Sequence, residues 1–129
     1  MKEPVWLELE DCLSFHEHLL ARFGGLVGIQ DEGLLALALA RPQQRLNYQK
    51  PDLFDLAAAY AFGIARNHPF LDGNMRSALM AAALFLELNG FSFQATEASA
   101  VEHTLALAAG ALGEEGYADW LKKSCVKTT

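Results

Sequence analysis

With 129 residues, about half of them apolar (52%), the chain is long enough to build one compact domain with its own core, and it needs neither disulfide nor metal to hold it together. A formal net charge of −6 with only ten Lys and Arg excludes sequence-independent nucleic-acid binding, which requires clustered cations to displace counterions. Two cysteines, Cys12 and Cys125, are too few for a disulfide-framed secreted domain. Free thiols in a reducing cytosol are expected, with one bridge between the two ends as the alternative.

Ala and Leu dominate while Val, Ile and Thr are scarce, so the expected class is all-α. Near the N-terminus, Glu3, Glu8 and Glu10 occupy the stretch where a signal peptide needs apolar residues. A first helix is predicted from about Glu8 to Phe23, with Leu9, Leu13, His16, Leu20 and Phe23 at helical spacing and Gly24-Gly25 as its stop. His16 and His18 are two apart, face different sides of that helix, and are not expected to share a metal. Asp31 opens a short helix to about Ala40, which Pro42 is expected to end. The polar stretch Gln43, Gln44, Arg45, Leu46, Asn47, Tyr48, Gln49, Lys50 then reads as a surface loop or short hairpin.

Asp52 is the expected N-cap of a helix from Leu53 to about Arg66, broken at His68-Pro69 because proline disfavours helix in the residue before it. The next helix, Asn74 to Leu88, is apolar almost all round from Ala78 to Leu86 and is therefore the expected buried central helix. That run stops at Glu87, far short of the roughly 18 residues of a membrane span, so a cytoplasmic protein without membrane contact is expected. Phe91 to Gln94 fits a brief strand. Two more helices follow, about Thr96 to Ala109 and about Gly116 to Lys123, the last closing on Lys122 and Lys123 at its negative end. Trp6 and Trp120 read as packing residues near the termini, and His103 as a surface or partly buried residue.

Chemistry concentrates in His68-Pro69-Phe70-Leu71-Asp72-Gly73-Asn74-Met75-Arg76. A tight polar loop here leads straight into a helix N-terminus, whose free amides and positive dipole end suit an anion. Gly73 allows close backbone approach, and Asn74 can cap the helix or donate a hydrogen bond. Arg76 in the first turn opposes the dipole unless an anion joins it, and a local rule broken without structural gain points to a functional site. His68 is suited to take a proton near neutral pH. Asp72 beside a phosphate site is suited to Mg²⁺, which binds through one or two carboxylates plus phosphate oxygens. Taken singly, each residue is an ordinary turn residue. Together they describe transfer of a phosphate-containing group to a hydroxyl.

The segment resembles the Fic signature His-Pro-Phe-x-(Asp/Glu)-Gly-Asn-x-Arg, matched at His68, Pro69, Phe70, Asp72, Gly73, Asn74 and Arg76. Arg22 to Leu35, continuing through Ala40-Arg41-Pro42-Gln43, is similar to the death-on-curing branch of that family. The resemblance implies a single domain over 1–129, a six-helix bundle around a buried central helix with a short flap loop or hairpin, and ATP and Mg²⁺ as donor and cofactor. It implies His68 as general base, Phe70 as the structural anchor of the loop, and Asp72 as the Mg²⁺ holder. Gly73, Asn74 and Met75 would supply backbone amides, with Arg76 on the nucleotide phosphates. Gln43 to Lys50 would be the flap that aligns a target peptide by strand addition.

The implied activity is that of a toxin-like protein Ser/Thr kinase acting on a host translation protein, elongation factor Tu in particular. Adenylylating members of the family read Gly-Asn-Gly-Arg-x-x-Arg, whereas Met75 and Leu79 stand at the second glycine and second arginine here. The death-on-curing kinases often carry lysine at the position of Met75 and alanine at that of Gly73. Transfer of AMP, and a lapsed nucleotide- or peptide-binding module, are the two alternatives. The self-inhibitory string (Ser/Thr)-x-x-x-Glu-(Gly/Asn) does not occur in the sequence, so the resemblance implies inhibition in trans by a small antitoxin.

Overall fold

The Ala- and Leu-rich segments form six helices among the described residues: α1 (Leu9–Phe23), α2 (Glu32–Tyr48), α3 (Leu53–Asn67), α4 (Asn74–Leu88), α5 (Glu97–Ala109) and α6 (Glu114–Lys123). The computed structural model describes residues 3–128, apart from the side chain of Tyr48. Two short strands, β1 (Phe91–Phe93) and β2 (Cys125–Lys127), pair antiparallel with Ser92 opposite Val126. The all-α class read from composition is the observed one. The brief strand at Phe91 is present, and its partner β2 was not foreseen.

The centre of the bundle is α3 rather than α4. Leu56 to Ala61 and Gly63 to Ala65 are buried, and α3 packs against α2, α4, α5 and α6. Its small residues let neighbours approach from all sides. A Cβ on Gly63 would lie 2.9 Å from the Ala38 Cα, so α2 and α3 touch backbone to backbone there. Helix α4 buries Ala78, Ala81, Ala82, Phe85 and Leu86 but leaves Met80 and Leu88 exposed. An apolar run is therefore a poorer guide to centrality than a run of small residues.

Pro42 does not end α2. It is fully buried inside the helix, which continues through Tyr48. A mid-helix proline costs about 3 kcal/mol. Here packing of α2 along α3 offsets that, and on either side of Pro42 the guanidinium groups of Arg41 and Arg45 close on the two oxygens of Glu114 at 2.6 and 2.8 Å. The core face of α1 is also displaced from the expected stripe. Cys12, Phe15, His16 and Leu20 are buried, whereas Leu9 and Phe23 are exposed. Cys12 and Cys125 are both free thiols. Among the described residues no helix is long and apolar enough to cross a membrane.

Candidate active site

Helix α3 ends at His68, whose backbone sits in the left-handed region (φ 50°, ψ 59°). It is the one non-glycine residue with positive φ among the described residues. Pro69 bars continuation of the helix, and a non-glycine residue held there costs on the order of 1–3 kcal/mol, a strain that clusters at functional sites. The His68 side chain is exposed while Pro69 and Phe70 are buried. The chain then runs antiparallel to the Gly24–Asp31 loop. Pro69 O accepts from the Gln30 and Asp31 amides at 2.8 and 3.1 Å, and the Leu71 amide donates to Gly28 O at 3.1 Å. Ile29 and Phe70 form the bridge between the two segments.

Two side chains hold the loop from inside. Asn74 Oδ1 accepts from the Phe70 amide at 3.0 Å, and Asn74 Nδ2 donates to Phe70 O at 2.9 Å. From α1, His16 Nε2 donates to Asp72 O at 2.8 Å while its ring stacks on Phe70, centroids 3.8 Å apart and planes 11° off parallel. Gly73 turns the chain into α4 at φ 75°, a conformation glycine adopts without strain.

The outer side is built for an anion. No side chain caps α4, and the first amide of the helix that bonds back is Ser77, to Gly73 O at 3.0 Å. The amides of Asn74, Met75 and Arg76 are thus left at the positive end of the helix dipole. The Arg76 guanidinium lies 4.1 Å from the centre of the Phe23 ring, which also carries Arg22 at 5.4 Å. Neither arginine has a carboxylate at ion-pair distance among the described residues. Met75 and Leu79 turn against the hydrophobic core, so Met75 offers this surface its backbone alone.

Asp72 is exposed, and its Oδ2 accepts from the Leu26 amide at 3.1 Å. The approach needs glycine at position 25, where a Cβ would stand 3.2 Å from that oxygen. Among the described residues no three His, Cys, Asp or Glu side chains gather into a metal cage. A cation here would take one carboxylate from the protein and its other ligands from phosphate and water. That donor set fits Mg²⁺.

The structure therefore brings His68, Phe70, Asp72, Gly73, Asn74, Met75 and Arg76 into one loop and helix start. It does not bring Gln43 to Lys50 there. Gln43 to Tyr48 are the last turns of α2, and Arg45 Nη1 donates to Asp55 O at the far end of α3 from His68. At 1.5 Å per residue that separation is roughly 20 Å, and a helix cannot add a strand to a peptide. The side chain of Tyr48, within that expected flap, lies outside the described residues. The segment beside the His68–Arg76 loop is Gly24–Asp31, with Leu26 and Val27 exposed at 67% and 73%. Its glycines and its exposed apolar pair were the signals that could have marked it. His16, by contrast, looked like one more residue on the core face of α1.

Residues 6–86 match the family model described as the Fic/DOC family. The chain is 35% identical over 116 residues to the protein kinase doc of Escherichia phage P1, covering 88% of this chain and 90% of that one. It is 41% identical over 92 residues to the toxin Doc of Mycolicibacterium smegmatis, covering 70% of this chain and 68% of that protein. A signature loop whose histidine and arginine face outward, a match spanning most of the sequence and two such relatives together mean that this chain belongs to the Fic/DOC family, on its death-on-curing branch.

Proposed function

We propose that this chain is the toxin of a toxin–antitoxin pair, a protein kinase that moves the terminal phosphate of ATP onto a Ser or Thr hydroxyl of a host translation protein, with elongation factor Tu as the first candidate. The observation that carries the reading is the exposed His68, held in a strained left-handed conformation beside free helix amides and an arginine with no carboxylate partner among the described residues. The relative from phage P1, named a protein kinase, favours phosphate transfer. So does Leu79, which turns to the core and leaves no second arginine to hold a triphosphate in the adenylylating orientation.

In this mechanism the α4 amides and Arg76 seat the phosphates. Asp72 would hold Mg²⁺, which supplies neutralisation of phosphate charge when bound. His68 accepts the hydroxyl proton. The hydroxyl oxygen then bonds to the terminal phosphorus as the bond to the departing ADP oxygen breaks. The exposed Leu26 and Val27 edge would align an extended target segment across His68, a role that moves from Gln43–Lys50 to Gly24–Asp31. A groove of about 690 Å³ between α1 and α2, lined by Leu7, Leu9, Leu13, Leu35 and Leu39, suits an amphipathic segment of an antitoxin.

Incubation of the chain with a purified translation elongation factor, Mg²⁺ and ATP labelled at the γ-phosphate is expected to label the factor, and His68→Ala to abolish the label. Label carried only from the α-phosphate would replace this reading with AMP transfer. No transfer from either position, with growth unaffected by the free chain, would leave a binding module.

A further inference from the structure

Helix α1 contributes a buried imidazole to the loop it packs beneath. His16 is 5% exposed, and its Nε2 faces Asp72 O at 2.8 Å. A carbonyl oxygen only accepts, so Nε2 carries a hydrogen. The ring is pinned by its stack on Phe70, and a Cβ on Gly73 would sit 3.6 Å from Nε2. The imidazole therefore lies directly under the Asp72–Gly73 peptide.

That peptide is planar and trans, so its C=O and N–H point in opposite directions. Holding Asp72 O inward against α1 turns the Gly73 N–H outward, to the side where the amides of Asn74, Met75 and Arg76 stand free. We propose that His16 is a positioning residue: by fixing the Asp72–Gly73 peptide it aims the Gly73 amide into the phosphate seat and sets the direction from which the Asp72 carboxylate leaves the chain. The inference rests on the reading of α4's N-terminus as the seat of the donor phosphates. Without the imidazole the peptide is free to flip, because glycine at 73 tolerates either orientation. One amide then leaves the seat and Asp72 moves with it.

Three forms separate this role from packing. His16→Phe keeps the stack on Phe70 and the volume but removes the donor. His16→Gln loses the ring but can place an amide N–H at the same carbonyl. For His16→Phe, the dissociation constant for ATP with Mg²⁺ is expected to rise about tenfold or more, as for other losses of a partner that orients a binding group. His16→Gln is expected to recover most of that loss although it packs worse. Amide hydrogen exchange at Gly73, measured without nucleotide, is expected to change in His16→Phe and return toward the wild-type rate in His16→Gln.

Wild-type ATP affinity and unchanged Gly73 exchange in a folded His16→Phe would overturn the proposal. So would equal losses in the two variants, which would mean that the ring acts by packing alone. Because Gly73 exchange is read without nucleotide or target, it reports on the positioning role even if the wild-type chain transfers no phosphate. In that case the functional reading fails and the peptide-orienting role stands.

Discussion

Asn74 bonds both backbone groups of Phe70, accepting from its amide at 3.0 Å and donating to its carbonyl at 2.9 Å. One side chain thus does for the loop what a neighbouring strand would do for one residue of a sheet. Because Phe70 is fully buried, the clamp ties the solvent side of the loop to the core. Asn74→Ala removes both bonds and leaves two partly buried backbone groups without partners, an expected loss of about 1–3 kcal/mol. Asn74→Asp keeps the acceptor but sets a carboxylate against the Phe70 carbonyl and beside the phosphate seat. Urea denaturation is expected to place Asn74→Asp at or below Asn74→Ala in stability, and nucleotide binding should be weaker still in Asn74→Asp. Wild-type stability in both variants would mean that the paired hydrogen bonds do not restrain the loop.

Phe23 is exposed, yet both Arg22 and Arg76 lie over its ring, at 5.4 and 4.1 Å. Two guanidinium groups on one ring repel each other, so the arrangement is held by the ring and by whatever anion joins it. An exposed cation–π contact contributes about 0.5–1 kcal/mol. Phe23→Ala is therefore expected to raise the ATP dissociation constant roughly two- to fivefold, with thermal stability little changed. Arg76→Lys should cost more, because an ammonium cannot both stack on the ring and fork onto phosphate oxygens. Isothermal titration at two salt concentrations checks both, and identical affinities for wild type and Phe23→Ala would remove the ring from the account.

Gly63 sits where α2 and α3 meet backbone to backbone, 2.9 Å from the Ala38 Cα for an added Cβ. Two effects of Gly63→Ala oppose each other. Helix propensity favours alanine by about 1 kcal/mol, whereas forcing apart a packed interface costs typically 1–3 kcal/mol. The near atom is backbone and cannot swing away, so the clash is expected to win. Thermal unfolding should show a lower midpoint for Gly63→Ala. Since α2 begins beside the Pro69 carbonyl and α3 ends at His68, activity should fall as well. A raised midpoint would show that the helices separate freely.

The signature from His68 to Arg76 was legible because its residues are contiguous and their types conflict with an ordinary helix start. The same directness carried Asp52 as a cap and the breaks at Pro69 and Gly24. His16 was not legible in this way. Its partner Asp72 is 56 residues away, and at helical spacing a buried histidine reads like any residue on a core face. Pro42 was misread because a proline is judged by its local cost, while burial against α3 and the pairing of Arg41 and Arg45 with Glu114 come from distant segments. The stretch Gln43 to Tyr48 looked like a loop for the same reason: it is polar, and its helix is completed by neighbours that sequence alone does not place. Strand β2 has three residues, too few for any period to show.

Burial raises three acids of the core together. The Cys12 thiol moves from an ordinary 9.0 to about 12, through desolvation first and the neighbouring Asp11 carboxylate second. Tyr60 and Tyr117 rise from 10.0 to about 12, again chiefly by burial, with the hydrogen bonds to Leu7 and Thr104 opposing it. In each case the folded state holds its proton where the unfolded chain would release it. Above the unfolded value the unfolded state therefore binds fewer protons, and stability falls as pH rises. The window opens near pH 9 with Cys12 and widens near pH 10 with the two tyrosines. Each group contributes at most about 1.4 kcal/mol per pH unit inside it. Against a total of roughly 5–15 kcal/mol for a domain of this kind, the expected result is a thermal midpoint steady to about pH 9 and falling steeply by pH 11. Cys12→Ala lowers the midpoint at neutral pH by leaving a small cavity, yet it should flatten the curve between pH 9 and 10. In the folded wild type, a thiol reagent at pH 8 should modify Cys125 well before the fully buried Cys12. A midpoint level from pH 8.5 to 11, or prompt modification of both thiols, would show that water reaches the core beneath α1.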